Sequence, residues 1–268
     1  MAVVALHSAA TGLSALSTQI DVIANNLANV NTHGFKASRV NFEDLLYEEK
    51  AQPGVENANG DERPAGTFVG LGVRISNTQF DFAQGSTIAT DSPLDLMIEG
   101  EGFYQVDILE ESGTGIGYTR AGNFFPNSEG ELVLGNADGP RLEPPIQLPD
   151  GYESINISKD GIVSVTLPGA PEQQEVGQIE LATFINGGGL KPIGGNIFVE
   201  SAASGPPIVG NPGDQNIGRI RQGAKEASNV DPVRELVDLI KAQRSFEMNS
   251  QTIQAADQTL QVISNLRR

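Results

Sequence analysis

The sequence predicts an α+β chain, with a long helix at each end and a β-rich middle of short antiparallel strands. Three observations carry this. Leu6, Leu13, Ile20 and Leu27 recur every seven residues, and Ala9, Leu16, Ile23 and Val30 keep the same rhythm three positions on. Near the other end Leu239, Phe246, Ile253 and Leu260 repeat every seven, shadowed by Ala242, Asn249, Ala256 and Ile263. Such a 3–4 apolar spacing marks helices that pack along a seam, here a coiled-coil-like layer built for self-assembly. Third, all 31 glycines except Gly12 lie between Gly34 and Gly223, and all 15 prolines except Pro232 lie within residues 53–212. Both residues disfavour helix interiors, so the middle is not a helical bundle.

The first helix is expected from about Val3 to about Asn31, roughly 40 Å at ~1.5 Å per residue. Asn29, Asn31 and Gly34 supply its stop, because Asn and Gly tolerate the left-handed conformation that ends a helix. Residues 46–72 come next, polar and turn-rich with Glu48, Glu49, Gln52, Pro53, Gly54, Asn57, Asn59, Gly60 and Asp61. Composition alone makes this stretch a flexible loop or extended arm. Beyond it the period changes to two. Leu94–Glu99, Phe103–Leu109, Tyr118–Thr119, Leu132–Leu134, Ile155–Ile157, Ile162–Leu167, Ile179–Ala182 and Ile197–Glu200 read as short strands. Glu129-Gly130, Asp138-Gly139, Asp150-Gly151 and Asp160-Gly161 supply turns, since glycine there accepts positive φ. For the last helix Asp231 is a good N-cap and Pro232 fits the first helical position. The expected organisation is therefore a helix and exit turn over 1–45, an arm over 46–80, a β domain over 81–224 and a final helix over 225–268.

Charge separates the ends from the middle. The net charge is -17, yet residues 1–42 carry +1 and 225–268 carry 0, leaving -18 on 43–224. Near-neutral helices can pack against copies of themselves, while an acidic middle suits a solvated exterior. The balance excludes a nucleic-acid partner and docking on anionic lipid, both of which need a basic face. No apolar run approaches the ~20 residues of a membrane span, so no membrane insertion is expected. Met1–Leu6 lacks a basic n-region and a clear cleavage site, so no cleaved leader is expected.

Nothing points to a reaction. The absence of cysteine removes disulfides, thiolate metal sites and a thiol nucleophile. His7 and His33 stand alone, with no HExxH motif and no nucleophile elbow. Gly100-Glu101-Gly102 begins like a dinucleotide fingerprint, but Gln105 stands where the third glycine belongs. Neighbouring acids such as Asp95, Glu99 and Glu101 are expected by chance in so acidic a chain, and the Asn127–Glu131 and Asn136–Gly139 stretches are turns and no EF-hand loop. No enzyme activity, cofactor or metal is expected. Asn25, Asn26, Asn29 and Asn31 leave two readings open: helix termination with solvated amides, or amides bonding neighbouring helices to fix register, as Asn249 on the second seam could also do.

The run Asp21–Lys36, containing Asn25-Asn26-Leu27-Ala28-Asn29 and Gly34-Phe35, closely resembles the N-terminal signature of bacterial flagellar rod and hook proteins. Gly100–Tyr104, Tyr118–Phe124, and Glu226–Asp231 with Ser228-Asn229, leading to Gln243–Glu247 with Arg244, are similar to further landmarks of that family, in order along nearly the whole chain. Phe42–Tyr47, followed by Gln52-Pro53-Gly54 and the arm to Gly72, looks most like the distal-rod subgroup. The resemblance implies that this arm makes a tube straight and rigid and is ordered by neighbouring subunits. It implies a hollow helical polymer, with the terminal helices lining a channel and the β domain facing the periplasm. The implied partners are further copies of the chain, proximal rod proteins, hook protein, surrounding ring proteins and a rod cap. The implied route is the flagellar type III export apparatus, and the implied task is torque transmission. A proximal rod or hook-type axial subunit is the nearest alternative, and a secreted β-rich oligomeric binding protein the alternative from another class. Three departures stand out: Lys225 sits where the family usually has an apolar residue, the segment near His7 lacks the bulky aromatic often seen there, and Glu110–Gly117 is a variable loop.

Overall fold

Helix α1 (Ala2–Ala28) forms over the first heptad run and stops where Asn29, Asn31 and Gly34 permit a turn. Helix α2 (Pro232–Leu266) starts as its cap dictates: Asp231 Oδ1 accepts the backbone N–H groups of Val233 (3.0 Å) and Arg234 (3.3 Å). The structure is a computed structural model of the chain and describes residues 2–55, 62–108, 115–169, 173–214 and 216–266. The expected end of the second strand at Leu109, and residues 110–114 of the variable loop, lie outside these.

The chain divides into two compact units. Residues 1–28, 38–80 and 231–268 form a helical unit, and residues 29–37 and 81–230 form a β unit. This cuts the chain differently from the four consecutive segments expected from composition. The exit turn of α1 belongs to the β unit, and the arm belongs with the helices.

In the helical unit β1 (Ser38–Asp44) pairs antiparallel with β4 (Val73–Phe80), and β2 (Tyr47–Ala51) pairs with β3 (Thr67–Gly70). The flexible-loop reading of 46–72 therefore needs correction, because the ends of the arm form a ladder within the chain itself. Gln52, Pro53 and Gly54 are exposed just beyond β2. Gly54 N–H donates to the Arg63 carbonyl (2.8 Å) across the opening of the arm. The β1–β4 ladder escaped composition because one of its faces is polar. Arg39 bonds Gln79, Asn41 bonds Asn77, and Arg74 pairs with Glu43. Cross-strand polar pairs stabilise a sheet about as well as apolar ones.

The β unit contains β5 (Thr87–Ala89), β6 (Leu96–Glu99), β7 (Phe103–Asp107), β8 (Ile116–Thr119), β9 (Phe124–Pro126), β10 (Leu132–Leu134), β11 (Leu142–Glu143), β12 (Ser154–Ile157), β13 (Ile162–Thr166), β14 (Gln173–Gln178), β15 (Leu181–Thr183), β16 (Lys191–Gly194), β17 (Ile197–Val199), β18 (Ile208–Gly210), β19 (Arg219–Gln222) and β20 (Ala224–Glu226). The largest sheet runs β16-β17-β8-β7-β15-β18, with β11 also on β7, and every pairing is antiparallel. Each expected strand is present within a few residues. Asp160-Gly161 closes the β12–β13 hairpin, with Gly161 at φ 83°. Leu96, Ile98, Val106, Phe124, Leu132 and Val163 anchor one core, each at most 1 % exposed.

Tyr104 is fully buried in that core, its ring edge-on to Phe124 at 5.2 Å, and burial pushes its hydroxyl pKa up. Its Oη has no hydrogen-bond partner among the described residues. An unpaired buried hydroxyl costs about 1–3 kcal/mol. Tyr104→Phe is therefore expected to stabilise the β unit by about 1 kcal/mol, read as a higher denaturation midpoint with an unchanged slope in urea.

Candidate assembly surfaces and the junctions that position them

The two terminal helices pack against each other within one chain. Asn26 on α1 donates to Glu235 Oε1 on α2 (3.2 Å), and Gly12 faces Asn249. These contacts lie 14 residues apart on both helices and run in opposite directions, so α1 and α2 pack antiparallel in one register over two heptads. A Cβ on Gly12 would stand 3.1 Å from Asn249 Nδ2, a contact that Asn249 would have to relieve by a few tenths of an ångström. Ile23, Ala9, Ala15 and Ala242 are buried, and Leu6, Leu13, Leu16, Ile20, Leu27, Leu239, Phe246, Asn249, Ile253 and Leu260 are half-buried. Ile263 is within α2, but its side chain lies outside the described set. Val30 is half-buried in the β unit, past the end of α1.

Asn26 shows what the asparagine cluster contains. It is 2 % exposed, accepts from Ser38 N–H (3.0 Å) and donates to the Ser38 carbonyl (2.8 Å) as well as to Glu235. One amide thus joins α1, the start of β1 and α2, a bond between helices of the kind the second reading described. Asn29 follows the first reading, taking a hydrogen bond from Thr32 in the exit turn (3.1 Å). Asn25 is exposed on α1.

Glu235 is held above the ordinary glutamate pKa chiefly by burial, with the Asn26 hydrogen bond pulling the other way. The sign follows. Below the unfolded pKa both states are protonated and nothing is lost. As pH rises through the raised folded value, the fold must hold a charge it disfavours, so stability falls. Glu235→Gln keeps the acceptor for Asn26 and removes the charge. It is expected to abolish that decline through the ordinary glutamate range and to raise helix stability at neutral pH, read by thermal melts across pH.

The opposite face of α2 is apolar and unburied. Val233, Leu236, Val237 and Ile240 are 70, 46, 45 and 50 % exposed. At 3.6 residues per turn they centre about 140° round the helix from the Leu239–Ala242–Phe246 face. Further along, Met248 and Val262 are 60 and 58 % exposed, while Arg244 and Glu247 are exposed polar positions. The exposed positions of α1 include Ala10, Ser14, Ser17, Asp21, Ala24 and Ala28, spaced 4-3-4-3-4 along the helix. That face is smooth where the free face of α2 is bulky.

In the β unit the first-helix exit and the last-helix approach converge on Glu226. Its Oε1 accepts from Lys36 Nζ (2.6 Å) and Gly85 N–H (2.8 Å), and its backbone carbonyl accepts from Gly34 N–H (2.9 Å). Arg120 Nη1 stands 3.7 Å from Oε2. Lys36, Arg120 and Glu226 are all at least 96 % buried. Desolvation lowers the pKa of Lys36 and Arg120, and the Glu226 carboxylate opposes it in both. Lys36 also donates to the Ala83 carbonyl (2.8 Å), and Arg120 to that of Gly100 (2.8 Å). Gly34 sits at φ 70°, where a Cβ would be 2.7 Å from the Ala121 nitrogen, so both its conformation and its space require glycine. Asn229 completes the junction: its Oδ1 accepts from Ala37 N–H (2.7 Å) and its Nδ2 donates to Asp81 and Ala83 carbonyls (2.8 and 3.1 Å). The Phe35 carbonyl accepts from Asn229 N–H (3.4 Å), and Ser228 Oγ from Val230 N–H (3.3 Å). Lys225 is accommodated because its Nζ pairs with the buried Asp95 carboxylate at 3.0 Å.

Sequence reasoning singles out Asn26, Asn229 and Gly34 but misses the Lys36–Glu226–Arg120 cluster. The available signal was Lys36 as one of two bases in the first 42 residues. Among the described residues no group of acids and histidines could hold a metal, and no helix is long and apolar enough to cross a membrane.

Three stretches match models of flagellar families: residues 6–36 match Flagella basal body rod protein, residues 97–165 match Flagellar hook protein FlgE/F/G D1 domain, and residues 221–266 match Flagellar basal body rod FlgEFG protein C-terminal. Over 264 residues the chain is 47 % identical to the flagellar basal-body rod protein FlgG of Caulobacter vibrioides, covering 98 % of this chain and 99 % of that protein. It is 46 % identical to FlgG of Borreliella burgdorferi and 38 % identical to FlgG of Bacillus subtilis, each match covering 98 % of both chains. The two signature junctions and the paired terminal helices are thus those of a structural, non-enzymatic subunit, and the chain belongs to the flagellar basal-body rod protein family.

Proposed function

We propose that the chain is the subunit of the distal rod, polymerising into a rigid hollow helical tube that transmits motor torque to the hook and forms part of the export channel. The observation that carries this is the second apolar face of α2. One face is covered by α1 within the chain; the other, Val233, Leu236, Val237 and Ile240, is open. It is bulky, and the free face of α1 is smooth, so copies joining through these two different surfaces make a heterologous contact. Such contacts propagate as a filament when the rotation does not close. The near-neutral helices can line the interior without strong repulsion, and the acidic middle can face the periplasm and the surrounding ring proteins. The arm with Gln52, Pro53 and Gly54 stiffens the tube. Proximal rod proteins and hook protein adjoin its two ends, and a rod cap and the flagellar export apparatus serve its growth.

The test is deletion of the gene in its native bacterium, with a plasmid-borne copy as control, and electron microscopy of isolated basal bodies. A rod stub lacking its distal part and hook, restored by the plasmid, is expected. A rod cut nearer its base would place the subunit proximally, and intact basal bodies with normal hooks would contradict the reading.

A further inference from the structure

Residues 219–229 reach three parts of the β unit at once. Among the described residues β6 has β19 as its one strand partner and β5 has β20, with Ile98 opposite Ile220 and Ile88 opposite Lys225. Leu96, Ile98 and Ile220 are at most 1 % exposed, so this late stretch covers an early part of the core. The β12–β13 hairpin is held by the same residues. Ile220 N–H donates to the Lys159 carbonyl (3.1 Å), Gln222 Oε1 accepts from Ile157 N–H (3.1 Å), and Gln222 Nε2 donates to the Ile155 carbonyl (3.2 Å). The Gly223 and Ala227 N–H groups donate to the Asp95 and Ser86 carbonyls, both at 2.8 Å. Glu226 and Asn229 fasten the exit turn through Gly34, Lys36 and Ala37.

Detaching this stretch differs from detaching an ordinary edge. At the edge of the largest sheet β18 carries Ile208 and Val209, 52 and 44 % exposed, so its release uncovers little. Release of 219–229 uncovers Leu96 and Ile98 and leaves the buried Lys36 and Arg120 without the Glu226 carboxylate. A buried charge stripped of its partner is strongly destabilising. The contacts are also distant in sequence, so a long loop must be closed before any of them is gained. We propose that residues 219–229 are a clasp that makes folding of the β unit all or none. A chain delivered N-terminal end first, from a ribosome or through a channel, keeps this unit open until residue 229 has arrived. A copy broken off before residue 219 presents no folded β unit. Completeness of the chain becomes a condition for folding, a property of the single chain that does not rest on the assembly reading above.

The test is native-state hydrogen exchange of the dilute full-length chain in rising urea, followed amide by amide by NMR. The clasp is read at Ile220, Gly223 and Ala227. The body of the unit is read at Leu132 and Leu134, whose N–H groups bond the Ile146 and Pro140 carbonyls (3.2 and 2.9 Å). A clasp that opens only with the whole unit gives both groups the same urea slope and opening constants within about threefold of each other. Asn229→Ala removes three side-chain hydrogen bonds from the clasp and leaves the ion cluster in place. It is expected to speed exchange in both groups by the same factor, about tenfold or more. Clasp amides that open at least about tenfold more readily, with a shallower slope, while Leu132 and Leu134 stay protected, would overturn the proposal. An Asn229→Ala effect confined to the clasp would overturn it too.

Discussion

Glu226→Gln is expected to destabilise the β unit by about 3–5 kcal/mol, the range for removing one partner from a buried ion pair. The loss is comparable with the whole stability of many domains. Glu226 is the one carboxylate held within 4.0 Å of both Lys36 and Arg120 among the described residues. Its neutral amide would leave two buried cations facing each other across the junction, and the amide N–H groups would repel one of them. A glutamine oxygen could still accept from Gly85, so the loss isolates charge more than shape. The measurement is urea denaturation of the full chain, followed by near-ultraviolet tyrosine signals from the β unit. Lys36→Met added to Glu226→Gln removes one of the stranded cations and should recover part of the loss, giving a coupling of opposite sign to simple additivity. Equal midpoints for wild type and Glu226→Gln would contradict the account of the junction.

The second large effect concerns assembly and not folding. Val237→Asp with Ile240→Asp places two charges on the open face of α2, half a turn from the side packed on α1. The monomer should melt where the wild type does, because surface changes away from packed features usually move stability by less than about 0.5 kcal/mol. Filaments should fail to form, because each buried apolar side chain contributes ~1.5–3 kcal/mol at every repeat and a buried unpaired carboxylate is costly. Sedimentation of the concentrated protein and helix content in dilute solution separate the two properties. A double variant that still pellets as filaments would remove this face from the interface. A variant that loses its helices as a monomer would show that the face is internal.

What the sequence revealed follows from the range of each signal. Periodicity is local, so both terminal helices, the Asp231 cap and the strand around Leu132 could all be read from a few neighbours. The packing of the two helices on each other could not. It depends on Asn26 meeting Glu235, 209 residues away. The helix-exit turn was legible at Asn29 and Gly34, but its membership in the β unit was not, because that is set by Lys36 reaching Glu226, 190 residues on. Charges that pair across such distances look like solvated residues in a linear chain. The β1–β4 ladder was hidden by its polar face, where Arg39, Asn41 and Glu43 imitate loop composition. The bulky free face of α2 was present in the sequence as Val233, Leu236, Val237 and Ile240. Only the placement of α1 shows which face of α2 is left open.

The central claim is that identical copies join through unlike surfaces and so form an open filament. The direct measurement is electron microscopy of the purified full-length chain at rising concentration, with image averaging of whatever forms. The account predicts hollow helical tubes of indefinite length, with the paired terminal helices innermost. Closed dimers or rings of fixed size, or a chain that stays monomeric at every concentration, would contradict it.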